Sequence, residues 1–229
     1  MIDTVVLCGG FGKRLRSTIK DRPKPMADFN GEPFLDLLMD YIHKHGFGRF
    51  ILCAGYKGEF IENYYRGKDK SYEVIVSTEP EPLGTAGALK IAEKHIKSKL
   101  FLVVNGDSIC KIDFQNLMDS HIQNNAMSTV VLVSMGLQGD YGLIKLEKNN
   151  EISVFHDKKC ENNSDIVSAG IYLFNRKLLN EIPEKKNVSL EYDILPKFVG
   201  RGLYGYYSRQ KLFDIGTPER LEFARQNLI

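Results

Sequence analysis

Four short stretches of this chain carry residue types at spacings that suit phosphate chemistry. The first is Leu7-Cys8-Gly9-Gly10-Phe11-Gly12-Lys13-Arg14-Leu15. Three glycines in four positions clear side chains away from backbone N–H groups, which can then face a phosphate chain. Lys13 and Arg14 would neutralise that chain. An ordinary strand-to-helix turn needs a glycine or two but no cations. A dinucleotide-binding turn would want a third glycine where Leu15 stands, and a P-loop would want Ser or Thr where Arg14 stands, so neither pattern is met. The second stretch is Arg22-Pro23-Lys24-Pro25-Met26. A lysine between two prolines is expected on a stiff, extended segment that aims its ammonium at little entropic cost, although Pro-Lys-Pro also occurs in plain loops. The last two stretches each hold a carboxylate. Asp107 follows the apolar run Leu100–Asn105 through Gly106, where it could hold magnesium against phosphates or simply close a turn. Asp214, in Phe213-Asp214-Ile215-Gly216-Thr217-Pro218, could share the same ion.

This set lacks a Ser–His or Cys–His pair. It suits a reaction in which two anions are brought together at a phosphorus atom. The charge distribution agrees. The net charge is +2, yet Gly9–Pro25 alone holds Lys13, Arg14, Arg16, Lys20, Arg22 and Lys24 against Asp21, so the remainder is acidic. A basic cluster in a mildly acidic chain points to a compact anion. A nucleic-acid surface would interleave aromatics with those cations, and only Phe11 is there, so no nucleic-acid partner is expected. Cys8, Cys53, Cys110 and Cys160 are too scattered for a zinc site and read as free thiols, Cys8 and Cys110 as small apolar residues near the site. His43, His45, His95, His121 and His156 are not needed by this chemistry. No apolar run is long enough for a membrane span, and the start lacks the regions of a secretion signal, so a cytoplasmic location and no membrane partner are expected.

The elements that must position these residues follow from hydrophobic periodicity. Thr4–Cys8, Arg49–Ala54, Glu73–Ser77 and Leu100–Asn105 read as buried strands, and Phe34–His45, Glu59–Tyr65, Ala86–Ile96 and Phe114–Gln123 as helices. That alternation argues for a parallel sheet covered on both faces. After about residue 128 the rhythm shifts to strands: Ser128–Ser134, Leu143–Glu147, Ile152–His156 and Ile166–Phe174, the last two separated by an exposed polar loop over Asp157–Asp165. Helices near Leu190–Val199 and Pro218–Asn227 flank an aromatic strand, Leu203–Tyr207, whose tyrosines are expected to pack. Thr217 and Pro218 suit an N-cap and first helical position. The expectation is a single α/β domain over residues 1–229, Rossmann-like, with a mixed, mostly parallel central sheet. Its nucleotide-binding half would span about 1–125 and its sugar-phosphate half about 126–229. In such sheets ligands sit at the carboxyl ends of the strands, and the unusual residues do follow the strands.

Taken in order, G-G-x-G-x-R-L, P-K-P-M, L-G-T-A-G, G-D, A-G-I-Y and D-I-G-T-P-E resemble the sugar-1-phosphate nucleotidyltransferase family from Val5 to about Glu219. Within it the chain is most similar to the short bacterial D-glycero-α-D-manno-heptose 1-phosphate guanylyltransferases, which lack an appended acyltransferase domain. The resemblance implies that an NTP, GTP in that branch, and a sugar 1-phosphate give a nucleotide-sugar and pyrophosphate, on a route to capsule, surface-layer or lipopolysaccharide. It implies that Leu7, Gly9, Gly10, Gly12, Lys13 and Gly106 wrap the nucleotide, with Glu79, Leu83, Gly84 and Thr85 passing over the base. Arg14 would grip the outer phosphates, Lys24 would bridge the α-phosphate and the sugar phosphate, and Asp107 and Asp214 would hold Mg2+. Gly142, Gly170, Asn175 and Glu191 match positions that line the sugar pocket; Glu191 can accept two neighbouring hydroxyls, while Gly142 and Asn175 could equally be turn residues.

Base and sugar are less legible. Glu79 or Glu81 could accept from a guanine edge, or both could be solvated loop charges. Mannose 1-phosphate or glucose 1-phosphate could replace the heptose. A glycosyltransferase would carry D-x-D where Asp107-Ser108-Ile109 stands, and a non-catalytic nucleotide-sugar sensor would be expected to lose Lys24 or an aspartate. A homodimer is the commonest assembly for such a chain.

Overall fold

The computed structural model describes residues 2–10, 12–15, 19, 21–135, 143–157, 165–228. In chain order the strands are β1 (Asp3–Leu7), β2 (Asp28–Phe29), β3 (Glu32–Pro33), β4 (Arg49–Ala54), β5 (Glu73–Thr78), β6 (Leu100–Asn105) and β7 (Ser108–Cys110). They continue as β8 (Ser128–Ser134), β9 (Leu143–Leu146), β10 (Ile152–Asp157), β11 (Ile166–Asn175), β12 (Leu203–Ser208) and β13 (Leu212–Asp214). The α-helices are α1 (Phe34–His43), α2 (Gly58–Tyr65), α3 (Gly84–Ala92), α4 (Phe114–Gln123) and α5 (Pro218–Asn227).

Seven strands form the central sheet in the order β12-β8-β11-β6-β1-β4-β5. Every neighbouring pair is parallel except the two made by β11, which runs against the rest. Alternation along each strand sends side chains to opposite faces. Val6, Phe50, Leu52, Leu102 and Val104 join one buried cluster with α1, α2, α4 and α5. Val5, Ile51, Phe101 and Val103 join the other, together with α3 and the β9–β10 hairpin. Burying one such side chain is worth about 1.5–3 kcal/mol, so both helical layers are held firmly against the sheet.

At the amino-terminal edge of the sheet, Arg49 donates to Asp3 at 2.6 Å, and Asp3 also accepts from the Lys97 and Ser98 amides at 2.6 and 2.8 Å. That buried pair ties β1, β4 and the turn before β6 together, at the end of the sheet away from the glycine run. Asp113 and Thr217 cap α4 and α5, accepting from the amides of Asn116 and Arg220. No described helix is long and apolar enough to cross a membrane.

Several expectations need correcting. The segment Leu190–Val199 is not one α-helix: a π-helical turn over Leu190–Ile194 runs into a 3-10 turn over Leu195–Phe198. Pro196 lacks the N–H that would continue a regular helix. α3 starts two residues early and ends at Ala92, with a separate 3-10 turn over Glu93–His95. Lys24 does not sit on an extended segment. Pro23 is extended, but Lys24–Met26 close a 3-10 turn through Met26 N–H to Pro23 C=O at 2.9 Å.

Candidate active site

A cleft of about 500 Å³ opens at the carboxyl ends of β1, β4, β5 and β6. Its floor is the glycine run. Gly9 and Gly10 follow β1 directly, and Gly12, at φ +56°, opens the 3-10 turn Lys13–Leu15 that displays Arg14 and buries Leu15. A Cβ on Gly12 would stand 3.1 Å from Cβ of Lys24, so the loop lies directly on the lysine stem. Lys24 reaches from there to Asp107, its Nζ donating to Oδ2 at 2.6 Å. The lysine side chain is 13% exposed and the aspartate 36%, so the pair faces the cleft from a half-buried position.

Asp214 arrives by a route the sequence does not advertise. β7 and β13 pair antiparallel with Asp214 opposite Ser108, and the Ile215 amide donates to the Asp107 carbonyl at 3.0 Å. This two-stranded ribbon puts the two aspartates side by side. Gly216 marks where they meet the cations. A Cβ there would be 2.7 Å from Asp214 Oδ1, 3.7 Å from Lys24 Nζ and 3.8 Å from an Arg14 guanidinium nitrogen. Asp214, 22% exposed, also accepts from Arg220 at 3.2 Å on both oxygens and from the Gly216 amide at 2.8 Å. Asp107 thus faces the cleft with Asp214 immediately behind it, and both carboxylates are already paired with positive charge. Hard carboxylate oxygens in a pair, with room for phosphate oxygens beside them, fit the way Mg2+ is usually held, through one or two carboxylates plus substrate phosphates.

The roof is the strip Thr78–Gly87. Glu79 leaves β5 and its Oε2 accepts from the Leu83 amide at 3.1 Å. Its Oε1 lies against two glycines: a Cβ on Gly9 would be 2.5 Å from it, and one on Gly55 would be 2.3 Å away. Burial pushes the Glu79 carboxyl above its usual range, and the Leu83 amide pulls it partly back. Glu81 is exposed and does not line the cleft. The glycines of Leu83-Gly84-Thr85-Ala86-Gly87 answer to close backbone contact. Gly84, at φ +74°, and Gly87 would bring a Cβ within 2.5 Å of the Val188 carbonyl and 2.9 Å of the Lys186 carbonyl. The Val188 amide bonds the Leu83 carbonyl at 2.8 Å and the Ala86 amide bonds the Val188 carbonyl at 3.0 Å, latching α3 to the second half of the chain.

Glu191 closes the far wall. Thr85 and Ser189 hydroxyls donate to Oε2 at 3.1 and 3.2 Å, and the Tyr172 hydroxyl donates to Oε1 at 3.0 Å. Tyr172 is fully buried, and burial beside Glu191 raises its hydroxyl well above the ordinary tyrosine value. Cys8, buried at the cleft floor, is raised likewise, and Cys110 is pushed up to about 11, so both stay thiols, as expected of small apolar residues.

Most of the expected residues therefore converge: Leu7, Gly9, Gly10, Gly12, Arg14, Lys24, Glu79, Gly84, Thr85, Asp107 and Glu191 all line the cleft. Leu83 and Asp214 stand immediately behind it through the contacts above, and Gly106 does so with its amide donating to the Leu7 carbonyl at 3.0 Å. Gly142 and the side chain of Lys13 lie outside the described residues. Gly170 does not line the cleft, but it presses on Asn105, which does. Asn175 is a correction. It pairs with Leu100, at the amino end of β6, so it stands at the opposite end of the sheet, where its side chain caps a 3-10 turn by accepting from the Lys177 amide. Sequence reasoning missed Asn105, Asn187 and Gly216. Only Gly216 had a signal, since it sits inside the D-I-G-T-P-E stretch.

A model of the nucleotidyl transferase family matches residues 3–229. A D-glycero-α-D-manno-heptose 1-phosphate guanylyltransferase of Aneurinibacillus thermoaerophilus is 32% identical over 99% of this chain and 98% of its own length. A mannose-1-phosphate guanylyltransferase of Mycobacterium tuberculosis is also 32% identical, over 98% of this chain but 63% of its own. The crystal structure of HddC from Yersinia pseudotuberculosis, complexed with GMP-PN, superposes over 100% of both chains with a TM-score of 0.85 at 32% identity.

Proposed function

The chain belongs to the nucleotidyl transferase family, and we propose that it transfers GMP from GTP to D-glycero-α-D-manno-heptose 1-phosphate, releasing pyrophosphate. The observation that carries the reading is the meeting of Arg14, Lys24, Asp107 and Asp214 around Gly216, at the mouth of the glycine run. The sugar phosphate is an ionised nucleophile, so no general base is required. The obstacle is repulsion: two unit charges 4 Å apart repel by about 4 kcal/mol at an effective dielectric of roughly 20.

In this reading Gly9, Gly10 and Gly12 admit the triphosphate to the backbone. Arg14 takes the charge of the leaving pyrophosphate, and Lys24 turns from Asp107 to hold the α-phosphate and the incoming sugar phosphate in line. Asp107 and Asp214 would hold Mg2+, which when bound supplies further neutralisation of phosphate charge. Glu79 is the base reader: with Oε2 held by Leu83, its free Oε1 accepts from the guanine ring N–H and amino group. Glu191, with Thr85, faces the sugar. The same chemistry with mannose 1-phosphate is the second reading, favoured by the mannose-1-phosphate guanylyltransferase relative. The reaction would run in the cytoplasm, and gel filtration would test a homodimer.

The test is pyrophosphate release with Mg2+, each NTP and dTTP, and a panel of heptose, mannose and glucose 1-phosphates. Release with GTP and the heptose alone is expected. Release with another pair would discard the substrates and keep the chemistry. No release with any pair, from folded protein that binds nucleotide, would overturn the transferase reading in favour of a nucleotide-sugar sensor.

A further inference from the structure

Two polar side chains that line the cleft have no part in that scheme, Asn105 and Asn187, and Asn187 is engaged in donating to the Pro82 carbonyl at 3.1 Å. Asn105 ends β6 on the α3 face, level with Leu7 on β1, and it lines the cleft. Its carboxamide makes no hydrogen bond to another described residue. Half-buried polar groups that leave both a donor and an acceptor unused are waiting for a partner, water or ligand.

Its position is set by β11. Ser168 pairs with Leu132, while Tyr172 pairs with Val130, so β11 carries extra residues between them and bulges beside the end of β6. Gly170 lies in that bulge at φ +70°. A Cβ there would fall 2.4 Å from Nδ2, 2.8 Å from Cγ and 3.0 Å from Cβ of Asn105. The missing side chain at 170 is therefore the space that Asn105 occupies. The bulge is pinned by the Gly170 amide donating to Ser168 Oγ at 3.2 Å. Ser168 in turn donates to the Tyr172 hydroxyl at 3.2 Å, and Tyr172 to Glu191 at 3.0 Å. One strand thus fixes both Asn105 and Glu191.

Strand order says which part of the ligand they meet. Glu79 follows β5, the glycine run follows β1, and Asn105 ends β6 with β11 beyond it. At about 4.8 Å per strand, Asn105 stands roughly 14 Å from the base end, past the phosphate loop. Resting on the transferase reading above, we infer that Asn105 reads the hydroxyls of the sugar 1-phosphate. Its amide donates to one hydroxyl and its carbonyl accepts from a neighbour, and Gly170 is the positioning residue that holds it there. The ligand class is a pyranose with adjacent free hydroxyls.

The experiment compares wild type, Asn105→Ala, Gly170→Ala and the double variant, by steady-state kinetics with GTP and the best sugar 1-phosphate, and by direct titration of GDP and of the GDP-sugar product. Asn105→Ala is expected to raise KM for the sugar 1-phosphate about tenfold while KM for GTP and the affinity for GDP stay within about twofold. The preference for GDP-sugar over GDP should shrink by the same factor. Gly170→Ala should act in the same direction, and should add less once Asn105 is gone, because the displaced group is absent. A rise in KM for GTP instead would put Asn105 on the ribose and overturn the inference, as would unchanged constants in Asn105→Ala. Absence of turnover in the wild type with every sugar 1-phosphate would overturn the transferase reading itself, and is seen before any variant is made.

Discussion

Replacing Glu79 by glutamine tests the proposed base reader with the least disturbance of shape. The carboxylate is fixed from two sides: Oε2 accepts from Leu83 N–H, and Oε1 sits over the bare backbones of Gly9 and Gly55. A guanine edge presents two adjacent donors, the ring N–H and the amino group. With Oε2 on the Leu83 amide, Oε1 of a carboxylate can accept both; a carboxamide whose oxygen stays on that amide turns its NH2 towards both donors. Hydrogen bonds to a charged group contribute about 1.5–3 kcal/mol, so Glu79→Gln should lower kcat/KM for GTP about ten- to a hundredfold. That NH2 can instead donate to a carbonyl of uracil or thymine, so use of UTP and dTTP should rise relative to GTP. Burial raises the Glu79 carboxyl above its usual value. The wild type should accordingly lose GTP selectivity as the pH falls through that raised value, and the glutamine variant should show no such step. Pyrophosphate release with GTP, UTP and dTTP, followed from neutral pH down through the carboxylate range, measures all of this. A Glu79→Gln enzyme within about twofold of wild type on GTP, less than about half a kcal/mol, would refute the reasoning.

Three further outcomes follow from the geometry. Lys24→Met should cut kcat by at least about a hundredfold, the usual scale for one preorganised charge, while freeing Asp107 so that Mn2+ binds more tightly to the nucleotide-free protein by paramagnetic titration. Unchanged kcat would remove Lys24 from the reaction. Arg49→Met breaks the buried pair with Asp3 at the opposite end of the sheet and should cost about 3 kcal/mol in urea unfolding, with KM values of the folded protein intact; a loss below about 1 kcal/mol would show that the Lys97 and Ser98 amides suffice for Asp3. His121 is buried, bonds Thr129 at 2.8 Å and has its pKa lowered from 6.5 to about 4 by desolvation. The unfolded chain takes up a proton near 6.5 that the folded one refuses, so stability is lost as pH falls from 6.5 to about 4, by up to about 3 kcal/mol from this group. His121→Gln should flatten that part of the profile, and equal slopes in both proteins would sink the assignment.

The sheet and its helices were legible because each strand is a short apolar run and each helix keeps its period; α4 and α5 begin and end where the sequence placed them. The glycine run and Lys24 were legible as local clusters. What escaped depends on contacts between distant segments. β7 and β13 are three residues each, too short for a pattern, and only their pairing puts Asp214 beside Asp107. Asn105 looked like the last residue of a buried strand, and its exposure to the cleft comes from a bulge in a strand far along the chain. The motif match around Asn175 misled for the opposite reason: β11 runs against β6, so the carboxyl end of that strand is the wrong end of the sheet.

That reversed strand also bears on how this enzyme can change. Base and sugar are proposed to be read at points about three strands apart, one on the exit of β5 and the other at the end of β6, with the phosphate loop between them. Sites separated by more than about 10 Å with no shared partners usually contribute additively. Donor and acceptor preferences in this scaffold are then two independent dials, and a lineage could retune one without retracing the other.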